Sequence, residues 1–453
     1  MYSLDVRELD GPRPVRPEER VAVRRLDALC FPGFVDETED GEPLPRPDAP
    51  ARTPRFSGDS SPPIRSFLNP LLAPSRTSRF SGDSSRHEDI EVLCYRGTPI
   101  SKIGIYYSQV NVYGSPLRLA SIGGVCTHPD YQGQGLATRL LDHCARKLTA
   151  EGARLMLISG MRGLYTRAGY VTAQDYGHVV LRPGLLRPAA DNLSLRPATE
   201  ADAALCARLY HKEPVHFVRR VEKFTRHFHQ RERFPQAEDW IVEVEGACPE
   251  PVEGRPAAYI FSGIPWEYWP ATCASVQEVV EYAGSRVALV GGLARIMAHR
   301  GLREMRLLVP WQDADFLQLL REQGIAGNHS PLDGHTMRIV NFPGLMSDLR
   351  PYVRARLTES QRRGLRFGQG APLSAPVPGA LPGALEGHRY AIVRGRERIG
   401  LDGIAMTRLV MGIPAEMAPD LAVRSGALGE IVTALFPLPA FLPGLNYQSS
   451  VTT

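Results

Sequence analysis

"HPDYQGQGLATRLL", residues 128–141, decides how this chain is read. Gly133 and Gly135 stand where a helix should begin, and an unbroken amphipathic run follows. Leu136, Leu140, Leu141, Cys144 and Leu148 recur on one helical face, and Gly152 marks the stop. The strand-like "PLRLASIGGVCTHP" leads directly into the motif. The first N–H groups of a helix lack internal partners and carry partial positive charge. Glycines let a loop approach a ligand closely and adopt left-handed angles. Strand, glycine loop and helix together predict an anion nest suited to a diphosphate. No Gly-Lys-Ser/Thr follows, so the loop is not a P-loop. It also lacks the G-x-G-x-x-G of a dinucleotide fingerprint. Taken alone, a G-x-G also fits an ordinary turn.

The surrounding sequence alternates between strand and helix periods. "RPEERVAVRRLDALCF" (16–31) predicts an amphipathic helix on Val21, Val23, Leu26, Leu29 and Cys30. "IEVLCYRG" and "ISKIGIYYSQVNVYG" predict a hairpin around Gly97–Pro99. "LMLIS" (155–159) reads as a buried strand, "GLYTRAGY" (163–170) as a short helix stopped by Gly169, and "HVVLRP" (178–183) as the strand closing the unit. Residues 36–86 are rich in Pro, Ser, Asp and Arg and contain "RFSGDSS" twice, at Arg55–Ser61 and Arg79–Ser85. Two copies make no solenoid, and the segment reads as a disordered insert.

A second unit repeats the order. "LRPATEADAALCARLYH" predicts a helix, "DWIVEVEG", "AAYIFSGIP", "VQEVVEYAG" and "EMRLLVP" strands, and "RVALVGGLARIMAHRG" the long helix. "GSRVALVGG" replaces the glycine loop, so this copy reads as degenerate. A third unit is entered through "HTMRIVNFPGLMSDLRPYVRARL" (335–357) and holds strands "YAIVRG" and "ERIGLDGI" and the helix "ALGEIVTALF". "GLRFGQG" (364–370) imitates a nucleotide loop without the flanking strand and helix, and reads as a turn.

The bulk properties narrow the class. At 453 residues, several domains are expected, and 43% apolar with 23% charged residues is a globular composition. A net charge of +4 does not argue for nucleic acid. Seven scattered cysteines without a CxxC pair suggest a reducing compartment. The acid-bearing N-terminus is no signal peptide, and no apolar run approaches a membrane span, so a cytoplasmic protein is expected. His227 and His229, two apart on a helix, face different ways, and no metal site is expected. His128 reads as shaping the turn. Trp266, Tyr268 and Trp269 read as interdomain packing, or as an aromatic lining for a cationic amine.

Gln132-x-x-Gly135-x-Ala137, after a strand and opening a long helix, resembles motif A of the GNAT superfamily of acetyltransferases. The resemblance extends over "GLYTRAGY". It implies acetyl-CoA as co-substrate, with the diphosphate on the backbone of Gln132, Gly133, Gln134, Gly135, Leu136 and Ala137 and the pantetheine arm on Gly124, Val125 and Thr127. It also implies Tyr165 as the acid that protonates the departing thiolate, with Tyr170 the runner-up.

The wider order, including "MRIVNFPGLM" and "LDGIAMTRLVMGIP", is similar to the enhanced intracellular survival (Eis) family. The implied architecture is α/β (α+β): a catalytic GNAT domain at 1–185, a degenerate GNAT domain at 190–338, and a sterol-carrier-like α+β domain at 339–453. The inserts at 36–86 and 246–255 depart from the family pattern. The implied reaction is N-acetylation of an amine: aminoglycoside-like, polyamine or lysine. In that family the terminal carboxylate is the base, which would be Thr453 here; a water or an internal acid is the alternative. The resemblance also implies a homo-oligomer, with a hexamer as the candidate form. The competing reading is a non-catalytic module that binds acyl-CoA or lipid.

Overall fold

The computed structural model describes residues 4–31, 88–160, 162–172, 175–187, 192–230, 238–244, 255–263, 275–331, 335–369, 389–412 and 426–440. The first unit runs β1 (Leu9–Pro14), α1 (Arg20–Cys30), β2 (Glu88–Tyr95), β3 (Thr98–Val112), β4 (Ser115–Thr127), α2 (Leu136–Ala150), β5 (Leu155–Ser159) and α3 (Gly163–Arg167). Its sheet is antiparallel from β1 to β4, and β4 then pairs parallel with β5. Alternation along the strands splits the buried side chains between the two faces. Ile103, Ile105, Tyr107, Ala120 and Ile122 pack against Leu140, Leu141, Cys144 and Leu148 of α2.

β6 (Asp175–Leu181) then leaves this sheet. It pairs antiparallel with the second unit's strand Glu304–Pro310, so "HVVLRP" does not close the first unit as expected. The second unit continues β7 (Leu193–Pro197), α4 (Ala203–Tyr210), β8 (Val215–Phe217), α5 (Val221–Gln230), β9 (Glu238–Val244), β10 (Arg255–Gly263), β11 (Val276–Gly284), α6 (Arg286–Arg300), β12 (Glu304–Pro310), α7 (Ala314–Glu322) and β13 (Asn328–Pro331). Its sheet order is β13-β6-β12-β11-β10-β9-β7, while β8 adds to the end of β3 in the first sheet.

β14 (His335–Ile339) returns to the first sheet and pairs antiparallel with β5. The sequence reading had given it to the third unit. The two sheets have therefore exchanged a strand: β6, which follows the first unit's β5 and α3, pairs with β12, and β14, which follows the second unit's β13, pairs with β5. Local periodicity identifies a strand but carries no information on its partner, so this exchange was not legible beforehand.

The third unit holds α8 (Phe342–Asp348), α9 (Arg350–Arg356), α10 (Glu359–Arg362), β15 (Leu365–Gln369), β16 (Arg389–Arg394), β17 (Glu397–Asp402), α11 (Gly403–Met411) and α12 (Ala427–Leu435). "LRFGQ", expected as part of a turn, is the edge strand β15 of a three-stranded antiparallel sheet. Phe342, Leu345, Met406, Val410, Ile431 and Leu435 pack against Val110, Val112, Leu117, Leu119, Leu155 and Leu157, the face of the first sheet turned away from α2. No described helix is long and apolar enough to cross a membrane.

Candidate active site

The site begins with a defect in β4. Lys102 pairs with Cys126 and Gly104 with Gly123, which leaves Gly124 and Val125 opposite Ile103 alone. This is a β-bulge, and Gly124 takes a left-handed φ of +54° within it. The second feature is a splay. β4 and β5 pair only from Leu119–Leu155 to Ile122–Ile158, yet β4 runs on to Thr127. Beyond Ile122 the edge of β4 facing β5 has no strand partner there. Gly124, Val125 and Thr127 all lie on that freed stretch.

The turn to α2 is held by its own side chains. His128 Nδ1 accepts from the Asp130 N–H at 3.3 Å, and Gln132 Nε2 donates to the Thr127 carbonyl at 3.1 Å. His128 thus shapes the turn, as its position beside Pro129 suggested. Gly133 and Gly135 follow at φ of +79° and +76°. A Cβ at either would meet no atom within 4 Å, so the glycines answer to backbone angle and not to crowding. Gly135 is the N-cap of α2 and offers no side chain to its first N–H groups, and no acid stands in the first turn. Gln132, Gly133 and Gly135 are exposed. These features fit a diphosphate: main-chain donors at a positive helix end, with no side-chain cap and no acid in the first turn.

Tyr165 lies in α3, just after β5, and is 4% exposed. It belongs to the same hydrophobic core as Val125, Leu136 and Ile158. Burial pushes its phenol above the usual range, opposed by the nearby Arg162. A Cβ at Gly160 would stand 3.1 Å from the Tyr165 ring, so the glycine leaves the ring its place. Tyr170 is different. Its hydroxyl donates to Met156 Sδ at 3.5 Å inside the core, and burial pushes its pKa up. It packs.

The sequence reading missed a buried polar cluster on the other side of the bulge. In α1, Val21 and Leu29 are exposed, at 56% and 37%, while Asp27 is buried. Asp27 Oδ2 meets Lys102 Nζ at 2.6 Å. The Thr127 carbonyl also accepts from Cys30 Sγ at 3.5 Å, and Ser101 Oγ donates to the Cys126 carbonyl at 3.1 Å. An acid at one position of an apolar helix stripe reads as solvated, so nothing in the sequence pointed inward.

The second unit has closed its corresponding helix start. Ser285 caps α6 by accepting from the Ala288 N–H at 3.3 Å, and Arg286 binds Glu213 at 2.6 Å and Asp313 at 2.8 Å. Where α2 leaves donors for a ligand, α6 uses its own side chains. His227 and His229 diverge as expected: His227 is buried against Asp239, and the exposed His229 meets Glu200. Among the described residues, no group of three or more His, Cys, Asp or Glu side chains could hold a metal ion. Thr453, Trp266, Tyr268, Trp269, the insert at 36–86 and residues 246–254 of the second insert lie outside the described residues.

Residues 65–173 match the family model of the acetyltransferase (GNAT) domain. That match supports a GNAT acetyltransferase domain at those residues, a fold family that uses acetyl-CoA. Among curated proteins no relative matches this sequence. Solved structures similar to the chain include a conserved protein of unknown function from Enterococcus faecalis V583, described as a probable N-acyltransferase. It is 15% identical, with 94% of this chain and 96% of that one covered at a TM-score of 0.58. Eis1 from Mycobacterium abscessus is 14% identical, with 96% and 97% covered at a TM-score of 0.53. A GCN5-related N-acetyltransferase from Kribbella flavida is 15% identical, with 78% and 88% covered at 0.52. At these identities the likeness is one of fold, and with the first and second of these it extends over nearly the whole chain.

Proposed function

We propose that this protein is an acetyl-CoA-dependent N-acetyltransferase that acts on a primary amine by direct attack. The observation that carries the reading is the coincidence of the β4 bulge and splay with an exposed, uncapped glycine start to α2. The backbone of Gln132–Ala137 binds the diphosphate, and Gly124, Val125 and Thr127 bind the pantetheine arm along the freed edge of β4. A lysine-like amine is protonated at neutral pH, so a base must first take its proton. The amine then attacks the thioester carbonyl. The Val125 N–H stabilises the negative charge that develops on the carbonyl oxygen. As the C–S bond breaks, Tyr165 protonates the departing thiolate. Its raised pKa keeps the phenol proton in place at working pH.

The Thr453 carboxylate, a water or an internal acid serves as base. The acceptor is aminoglycoside-like, a polyamine or a lysine side chain. In this reading the chain divides into a catalytic GNAT domain (1–185), a degenerate GNAT domain (190–338) and a sterol-carrier-like domain (339–453), and works in the cytoplasm as a homo-oligomer. The test is thiol release from acetyl-CoA with spermidine, neomycin and a lysine-containing peptide, alongside calorimetry with coenzyme A. Turnover with at least one amine supports the reading. Coenzyme A binding without turnover on any amine would leave a non-catalytic acyl-CoA module in its place.

A further inference from the structure

A buried ion pair lies against the β4 bulge. Lys102 on β3 is 2% exposed and Asp27 on α1 is 4% exposed, with Nζ and Oδ2 2.6 Å apart. Lys102 stands opposite Cys126 in register, and the Cys126 thiol donates to the other Asp27 oxygen at 3.9 Å. A Cβ built on Gly124 would come 3.2 Å from Lys102 Nζ, so the ammonium lies beside the bulge and a side chain at that position would crowd it. Removing two charges from water is costly, and an apolar pair of similar volume would hold α1 to the sheet at least as well. What an apolar pair cannot supply is a fixed dipole with its positive end at Gly124, one residue from the Val125 N–H. A preset charge in a poorly solvated site acts strongly on charge that develops nearby and needs no reorganisation.

We propose that Lys102, kept charged by Asp27, is a positioning residue for acetyl transfer: it fixes the Gly124–Val125 bulge and makes the Val125 N–H a stronger donor to the thioester oxygen. This inference rests on the acetyl-transfer reading above. No bond is made or broken at the pair, and its proton stays within it. Among the described residues, the titratable groups facing Lys102 are Asp27 and Cys30 from α1 and Cys126 from β4.

The full chain is compared with the double variant Lys102→Met/Asp27→Asn, with Asp27→Asn alone and with Lys102→Arg, using whichever amine of the panel the parent chain acetylates. The double variant is expected to melt near the parent and to bind coenzyme A within about threefold, while kcat falls roughly 10- to 100-fold, the scale of losing one transition-state donor. Lys102→Arg is expected to keep more kcat than the double variant. In Asp27→Asn the buried ammonium loses its counter-charge, so kcat should acquire a fall with rising pH between about pH 6 and 9 that the parent lacks. A folded double variant with kcat within threefold of the parent would overturn the inference and leave the pair as packing. If the double variant does not fold, the pH profile of Asp27→Asn decides, and an unchanged profile overturns it. If the parent acetylates no amine, it is the acetyl-transfer reading that fails, before any variant is compared.

Discussion

Tyr165 and Gly135 carry the most specific expectations for single residues. Tyr165→Phe removes the phenol proton but keeps the ring in its cluster with Val125 and Leu136. Coenzyme A affinity should hold within about twofold, while kcat drops roughly 10²-fold, the usual scale for a lost proton donor. Any alkaline fall in the parent's kcat that comes from this phenol should lie above the ordinary tyrosine range, because burial raises its pKa. Retained kcat in the Phe variant, measured by thiol release, would remove Tyr165 from the mechanism. Gly135→Ala tests the backbone. The added methyl meets nothing within 4 Å, yet φ is +76°, so the cost is conformational, about 1–2 kcal/mol. Calorimetry should show a melting temperature lower by about 2–5 °C together with weaker coenzyme A binding. At this scale the sequence was informative wherever chemistry follows local spacing, as from Gln132 to Ala137. It was silent on Asp27, because burial of a charge depends on what arrives from β3.

Among the elements, α2 performs two tasks that one substitution can separate. Its apolar stripe, Leu140, Leu141, Cys144 and Leu148, is fully buried under the sheet, and its N-terminus is left without cap or acid. Ala137→Glu places an anion in the first turn. That charge should favour the helix by about 0.3–1 kcal/mol while opposing a diphosphate at the same spot. The expected outcome is an unchanged or higher melting temperature with coenzyme A affinity reduced about tenfold or more. Affinity unchanged by this substitution would mean that the nest is not where the diphosphate sits. The start of α6 differs, since Ser285 caps it and Arg286 pairs with Glu213 there. Helix and strand boundaries were largely legible from periodicity. The identity of each strand's neighbour was not, and "GLRFGQG" lost its strand to the apparent signature of its glycines.

For the molecule as a whole, the exchange of β6 and β14 makes the first and second units interdependent. Each sheet is completed next to its parallel pair by a strand whose neighbours in sequence build the other. A protease site placed at 188–191 should therefore yield two fragments that stay together in size exclusion and separate only in denaturant. Residues 1–187 expressed alone should be insoluble, since β5 would lack its partner and β6 its sheet. Recovery of that fragment as a folded monomer would show that the exchange is dispensable.

The same interlacing sets a schedule on the ribosome. Thr336 reaches the Gly160 carbonyl across 176 residues of chain. At about 5–20 residues per second, the outer edge of β5 waits some 10–35 s for the strand that covers it. Through that interval a nascent chain shows an unpaired, Leu- and Ile-bearing margin to the cytosol, the kind of edge that invites wrong pairing. The first sheet therefore finishes folding only after the whole second unit has been synthesised.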